Sequence, residues 1–581
     1  MRIVNFKITN FRSIGSTEVP NDEGQEADIA PGVDIEMDDN NLVFLCGCNN
    51  AGKSNILAAY ETFVVANKEA EISDFYEKDV RNSIVMEVSI RAETEDDRRH
   101  QALERIWDEN GIAKIRKTWR NIGEKGVKES FEPGAGWREG GAGGFDTLLQ
   151  NACPTPIWIK GESTPEEVIA SLRTLVQEAV LKAISAQAVY ADAVNAVRLL
   201  GDAITGHGYS NSLKENLNSS MKEVFPGIRF SIGHENPKEV IDIFKSTTTV
   251  GIEEDGKPAL TLANNGHGLR RQFVMGAFRG MATQLEEAKK GAKQRRVENM
   301  EIGGVENEPG SPKSKMLLIE EPELFLHPSA VRSVRDLLYL LATASEFQVM
   351  AATHSPVVVD LSKPHTTLVR VSYGPGKGTT IHQVSNNLFD NDERETMKML
   401  NYFDPYVCEA FFSDRVILVE GDTEAVAIRR LIERMKDEEV DVPRDIHVVN
   451  CGTKMNIPFF QKVLSHFRIN HVIFHDLDRR ENADGRRSAA WTMNQRIWDG
   501  VVAARGLGID VNRFVFNSEF ESANGYVLNE EIGKPHSAYL QVADWDMADE
   551  GRAAIRFLRL AFAGNAHEPD FTPEQLEQMA G

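Results

Sequence analysis

The chain reads as a multidomain α/β protein with two separate parallel-sheet units, and three observations carry this. An apolar stretch at Asn41–Cys46 runs directly into a glycine-bearing loop and a helical segment from Ser54. Two later runs, Lys315–Glu320 and Phe347–Ala352, have the near-continuous apolar character of strands covered on both faces. From Ser413 onward, short apolar strands alternate with helical segments, the pattern of a second parallel unit. A length of 581 residues leaves room for about three to five domains.

Taken in order, Met1–Glu18 alternates apolar and polar residues and predicts an edge-type strand or hairpin, and Ile84–Ile90 predicts another strand. Glu139–Phe145 is glycine-rich and predicts a loop. Glu166–Ile204 is rich in Ala and Leu, with an apolar stripe through Ile169, Leu172, Val176 and Val180, and predicts a helical subdomain or dimerisation arm. Strands are expected at Ile228–Ile232, Val240–Phe244 and Ala259–Leu262, a flexible insertion at Glu286–Lys315, and a further strand at Thr367–Ser372. The last third predicts strands at Val416–Glu420, Ile446–Asn450, Val472–His475 and Phe514–Phe516. Helices fill the spaces: one ending near Met435, one over Pro458–Phe467 and one over Arg487–Arg505.

Hydrophobic residues at 41% and charged residues at 26% exclude a disordered or collagenous chain. Lys and Arg total 65 against 88 Asp and Glu, a net charge of −23. That excludes a uniformly basic coat for nucleic acid but leaves local basic patches open. Five cysteines without a CxxC pair give neither a disulfide framework nor a zinc site. With no signal-peptide pattern and no apolar run long enough for a bilayer, the expectation is a cytoplasmic protein without a membrane partner.

Gly47-Cys-Asn49-Asn50-Ala-Gly52-Lys53-Ser54 fits a phosphate-binding loop between strand and helix. Gly47 and Gly52 let the backbone turn its N–H groups toward phosphate at the helix start, with Asn49 and Asn50 between them. Lys53 would reach the β- and γ-phosphates, and Ser54 would ligate Mg²⁺. Much later, Met316-Leu-Leu-Ile-Glu320-Glu321-Pro-Glu323 is an apolar strand ending in carboxylates. Glu320 is placed to hold Mg²⁺ through water and Glu321 to orient or deprotonate the attacking water. Val349-Met-Ala-Ala-Thr353-His354 ends a further buried strand in a histidine that can contact the γ-phosphate.

This ordered set resembles the ABC-type ATPase heads of the SMC and repair-ATPase superfamily. The resemblance implies that Asn264-Asn265-Gly266-His267-Gly268 takes the place of the signature motif, with Asn265 where serine is usual, and Gly266 and Gly268 meeting ATP in an opposite subunit. It therefore implies at least a dimer.

The second unit carries acids at three successive strand ends. They are Glu420 with Glu424 one helical turn later, Asp476-Leu-Asp478, and Glu519-Phe-Glu521. Residues two apart on an extended chain face the same way, so each later pair can converge. Ligands of parallel sheets collect beyond the carboxyl ends of the strands, and six acids gathered there repel unless cations sit among them. All-oxygen donors favour Mg²⁺ or Mn²⁺, and two such ions about 4 Å apart serve phosphodiester cleavage. Arg479, Arg480, Arg486 and Arg487 follow Asp478 directly and could hold DNA phosphates. Lys114, Arg116, Lys117 and Arg120, and the cations of Lys289–Arg296, are further candidates.

Glu420 with Asp476-x-Asp478 resembles the Toprim pattern, and an ABC head followed by Toprim looks like the OLD (overcoming lysogenization defect) family of ATPase–nucleases. The resemblance covers nearly the whole chain. It implies an ABC/SMC-like head in two parts (1–160 and 226–390), a helical dimerisation insertion (161–225) and a Toprim nuclease domain (391–581). It further implies ATP and divalent metal at both sites, DNA as substrate, and a role in bacterial defence against phage, with room for an accessory defence protein. Its catalytic lysine finds its positional candidate in Lys534. The alternative is an ATP-driven DNA-binding or assembly protein with a structural Toprim pocket. A topoisomerase or primase is a third reading, the former wanting a tyrosine nucleophile in a further domain.

Overall fold

The computed structural model describes, apart from short breaks, residues 1–139, 152–161, 314–383 and 405–580, with only scattered residues between 162 and 313. The chain divides into two compact units, Met1–Gly161 with Met281–Gly581, and Glu162–Gly280. In the second, Gly251–Ile252 pairs antiparallel with Leu260–Thr261, inside the strand expected at Ala259–Leu262. Most of the segments expected at Glu166–Ile204, Ile228–Ile232, Val240–Phe244 and Glu286–Lys315, and the glycine-rich loop after Glu139, lie outside the described residues. Among the described residues no helix is long and apolar enough to cross a membrane.

The main strands of the first unit are β1 (Arg2–Thr9), β2 (Val33–Glu36), β3 (Leu42–Cys46), β4 (Ile84–Arg91), β5 (Ile112–Trp119), β6 (Val127–Glu132), β7 (Gly136–Glu139) and β8 (Thr155–Ile159). They continue with β9 (Lys315–Glu320), β10 (Phe347–Ala352), β11 (Thr366–Gly374), β12 (Gly378–Gln383), β13 (Arg415–Val419), β14 (Ile446–Asn450), β15 (Asn470–Asp476) and β16 (Val511–Phe516). Helices that matter below are α1 (Lys53–Val64), α2 (Asp422–Asp437), α3 (Ile457–His466), α4 (Ala489–Gly506) and α5 (Lys534–Ala543).

Three larger sheets result. The first is antiparallel, in the order β2-β1-β4-β5-β6-β7. β1 is bonded on both sides and is not the edge strand its alternation suggests. Alternation reports one buried face and carries no information on how many neighbours the backbone bonds. The second sheet runs β8-β9-β10-β3-β11-β12, parallel except for the last pair. Its inner strands β3 and β10 are buried at every position, as expected for strands covered on both faces. The Gln348 side chain joins the two sheets, accepting from the Ile3 N–H and donating to the Ile3 carbonyl, both at 2.8 Å. Phe6 meets Tyr60 and Phe63 of α1 edge-on, seating that helix between the sheets.

The third sheet is wholly parallel, in the order β14-β13-β15-β16. The chain leaves β13 toward β14 on one side and returns to β15 on the other. The strand order therefore reverses at β13, and the crevice between the ends of β13 and β15 is a topological switch point. A cluster of Phe474, Phe514, Phe516, Phe557 and Phe571 fills the core behind it. α2 begins after extended Gly421, with Asp422 and Glu424 in its first turn and Arg434 and Lys436 in its last, charges that complement the helix dipole.

Candidate functional site

The first centre lies at the carboxyl ends of β9, β10 and β3, which the sheet order sets side by side. The loop after β3 is shaped by backbone. Gly47 has φ +136° and a β-carbon there would stand 2.0 Å from the Val371 carbonyl oxygen. Gly52, at φ +104°, caps α1, and its β-carbon would stand 2.2 Å from Thr379 Oγ1. Ser13 and Thr379 brace the loop: their hydroxyls lie 2.7 Å apart, Thr379 donates to the Ala51 carbonyl, and Asn55 donates to Ser13. The buried Lys53 ammonium donates to the carbonyls of Gly47 at 2.8 Å and Cys48 at 2.7 Å. Burial pulls its pKa down to about 8, against the pull of Cys46, Cys48, Glu321 and Glu323. Ser54 is exposed at the start of α1, and Asn50 adopts φ +62°.

Glu320 ends β9 and accepts from the Gly161 N–H at 3.3 Å. Glu321 turns the chain at φ +45°, its N–H bonded to the Ala352 carbonyl of β10. His354 follows β10; burial, reinforced by Lys53, brings its pKa down to about 4, so the ring is neutral at pH 7. Glu323, to which the sequence reading gave no role, links the two strand ends: its carboxylate accepts from Thr353 Oγ1 at 2.9 Å and the His354 N–H at 2.7 Å. Burial raises its pKa. The third acid of the Glu-Glu-Pro-Glu run was the available signal. Asn265, Gly266 and Gly268 lie outside the described residues.

The second centre occupies the switch-point crevice. Glu420 at the tip of β13 accepts the Asp476 N–H at 2.7 Å, so the two strand tips are bonded through a side chain. Burial pushes Glu420 up to about 7. Burial also pushes Asp476 up to about 9, with Glu420, Glu424 and Asp478 adding to the rise. Glu424 is raised by burial and by Glu521. Glu521 forms an ion pair with Lys534 at 3.4 Å, the lysine being largely exposed. Glu519 is exposed and is held by Ser522 at the start of a short helix. Two residues were not foreseen. Lys454, after β14, pairs with Asp478, and the hydroxyl of Tyr526 is buried without a hydrogen-bond partner. Burial and the charges of Glu521, Glu424 and Asp476 raise the Tyr526 pKa.

This donor set suits a hard divalent cation. It is carboxylate oxygen throughout, and Asp476 Oδ1 is buried with no hydrogen-bond partner. An oxygen so placed is open to a cation.

The basic residues separate. Arg479 and Arg487 are exposed beside the second centre. Arg480 is engaged by Glu577 and stacks over Trp491, and Arg486 pairs with Asp484 at 3.6 Å. The Lys114–Arg120 cluster is not a basic face: Lys117 is buried and donates to the Val65 carbonyl, while Arg116 pairs with Glu129 and lies over Trp137. Strand β5 turns Lys117 to its buried face and leaves Lys114 exposed, which charge counting along the chain cannot show.

Within this unit short contacts tie the phosphate loop to the segment entering β13, at the end of that strand opposite Glu420. The Cys48 thiol of the phosphate loop donates to the Phe412 carbonyl at 3.2 Å and lies 3.4 Å from Asp414 Oδ1. Arg370 of β11 donates to the Ser413 and Phe467 carbonyls. Cys48, Asp414 and Asp445 place potential ligand atoms within 4.8 Å of one another. Burial and Asp414 push the thiol up to about 11, so it remains a donor, not a thiolate ligand.

A family model for the overcoming lysogenization defect protein-like TOPRIM domain matches residues 411–478, and one for an AAA ATPase domain matches residues 202–359. The chain is 25% identical to the Old nuclease of Escherichia phage P2 over 83% of this chain and 78% of that one. It is 32% identical to the OLD nuclease of Thermus scotoductus over 31% of this chain and 36% of that one. A solved SMC head, bound to the C-winged helix domain of ScpA, aligns with 67% of this chain at 15% identity and TM-score 0.35. Fold and family models thus define an ATPase domain joined to a Toprim domain. The chain is similar to OLD (overcoming lysogenization defect) nucleases, one of them along most of its length.

Proposed function

We propose that this protein is an ATP-hydrolysing, divalent-metal-dependent DNA endonuclease of bacterial defence against phage, its Toprim centre cleaving phosphodiester bonds under regulation by the ATPase head. The observation that carries the reading is the meeting of Glu420, Asp476 and Asp478 at a switch point, with one buried carboxylate oxygen left unpartnered. Such a centre lowers its own charge repulsion by binding cations, which a purely structural pocket has no need to do. The relatives named nucleases support the same class.

In this reading Glu420, Glu424, Asp476, Asp478, Glu519 and Glu521 hold Mg²⁺ or Mn²⁺. When bound, such ions activate water and stabilise the leaving oxygen. The chain's own contribution is orientation and charge. Strand tips fix the carboxylates, Lys534 beside Glu521 faces the charge that develops on phosphate, and Arg479, Arg480, Arg486 and Arg487 hold the DNA backbone. In the head, Gly47, Asn49, Asn50, Gly52, Lys53 and Ser54 cradle ATP and its Mg²⁺ together with Glu320. Glu321 and neutral His354 address the γ-phosphate. Asn265, Gly266 and Gly268 serve a second copy, so the working form is at least a dimer. The head comprises 1–160 and 226–390, the dimerising insertion 161–225 and the Toprim domain 391–581. Cys48 and Arg370 tie the phosphate loop and its neighbouring strand to the segment entering β13, and regulation passes along that strand to Glu420.

The test is cleavage of plasmid with Mg²⁺ or Mn²⁺, with ATP, with a non-hydrolysable analogue and without nucleotide. Wild type is expected to nick or cut, Glu420→Ala to be inactive, and the nucleotide conditions to differ. Wild-type cleavage no better than that of Glu420→Ala sinks the nuclease reading; equal cutting in every nucleotide state sinks the regulation.

A further inference from the structure

Lys454 is the one cation buried among the acids of the second centre in the described structure, at 4% exposure. It sits in a single helical turn, Lys454–Asn456, after β14. Gly452, at φ +76°, makes the preceding turn, and Asn456 holds it by donating to the Cys451 carbonyl at 2.8 Å. β14 lies two strands from β15, with β13 between them. The Lys454 side chain therefore crosses the tip of β13 to reach β15. Its ammonium donates to the carboxylate of Asp478 and the carbonyl of Asp476, and stands 3.9 Å from Glu420 Oε1.

Each contact falls on a group expected to hold metal or on its backbone. Asp478 has φ +66°, a left-handed conformation that Asp adopts more readily than most residues when its side chain is held locally. Lys454 supplies that constraint through the Asp478 carboxylate. Its bond to the Asp476 carbonyl fixes the same turn from the other side. The Asp476 side chain stays out of this network, leaving Oδ1 without a partner.

We propose that Lys454 is a positioning residue of the metal centre, fixing Asp476 and Asp478 so that their remaining oxygens meet a divalent cation together with Glu420. This rests on the metal-dependent reading above. Two effects of the ammonium oppose each other, since a positive charge close to a cation weakens its binding while fixed ligands strengthen it. The three contacts at one turn make orientation the larger effect. Groups that orient metal ligands are typically worth ~10–100-fold in metal affinity.

The experiment is Mn²⁺ titration of the full chain without nucleotide, followed by calorimetry and by the free-Mn²⁺ electron paramagnetic signal. Asp476→Ala sets the background. Lys454→Met is expected to bind Mn²⁺ ~10-fold or more weakly than wild type. Lys454→Gln, which keeps a donor, should fall between them and serves if the Met variant does not fold. ATP binding to each variant checks that the chain is folded. Unchanged or tighter Mn²⁺ binding in a folded variant overturns the proposal, even if its melting temperature falls. Wild type that binds no more Mn²⁺ than Asp476→Ala fails the metal reading itself, and the role of Lys454 with it.

Discussion

The two centres of the first unit handle charge in opposite ways. The phosphate loop is defined by backbone: Gly47 and Gly52 occupy conformations and spaces that a β-carbon would violate, and its one buried ion is a lysine resting on carbonyls. The Toprim centre is defined by side chains: acids from separate strands are pressed together in a buried crevice. A site for an anion can be built from N–H groups that any sequence supplies once glycine permits the turn. A site for a divalent cation needs carboxylates, whose mutual repulsion is then held in the fold. Mutation and pH should therefore act differently on the two.

The largest effect is expected on cleavage. Replacing Glu420 or Asp476 by Ala should lower plasmid nicking by at least ~10²-fold while ATP hydrolysis continues, measured on one preparation. Loss of both activities together would erase the distinction. Next comes Gly47→Ala. With its β-carbon set against the Val371 carbonyl, it should abolish ATP binding in a nucleotide titration and lower stability by about 1–3 kcal/mol, leaving Mn²⁺ binding at the acids intact. Normal ATP binding by this variant would show that the loop is not backbone-limited.

pH separates the centres a third way. In the folded, metal-stripped chain Glu420 is raised from 4.5 to about 7 and Asp476 from 3.8 to about 9. The folded state thus holds these protons more tightly than the unfolded state does. The stability they confer is complete below the ordinary carboxylate values and is lost as pH rises through about 7 and then about 9. In EDTA, Asp476→Asn should match the wild-type melting temperature near pH 4 and exceed it increasingly toward pH 9, and saturating Mg²⁺ should close the gap. A constant gap would place Asp476 outside any such coupling.

The smallest effect is expected at the contact between the phosphate loop and the entry to β13. Cys48→Ala removes a thiol donor and should cost about 0.5–1.5 kcal/mol of stability. Its signature is a reduced ratio of cleavage with ATP to cleavage without it, and an unchanged ratio would remove Cys48 from the coupling.

Much of this was readable from the chain. The strands Lys315–Glu320 and Phe347–Ala352 stand where the apolar runs put them, because a strand buried on both faces must be continuously apolar. The acids at strand ends were legible because a Gly or a change of pattern marks each tip. Less legible were residues whose part depends on a neighbour distant in sequence. Ser13 and Thr379 brace a loop at 47–54, Glu323 bonds across to Thr353, and Lys454 crosses a whole strand. Lys117 misled because its charge suggested solvent, whereas its strand position turns it inward.

Sequence alone determined the chemical kinds present: a glycine-permitted phosphate loop, carboxylate-tipped strands, and two parallel units to carry them. These follow from local rules of backbone freedom and side-chain period, which act within a few residues. Only the tertiary structure decided adjacency, with β3 beside β10, β13 between β14 and β15, and Cys48 against the entry to β13. Strand order is settled by packing and hydrogen bonding between segments far apart in the chain. Burial then turned ordinary acids into a centre whose protons are hard to remove until a cation takes their place.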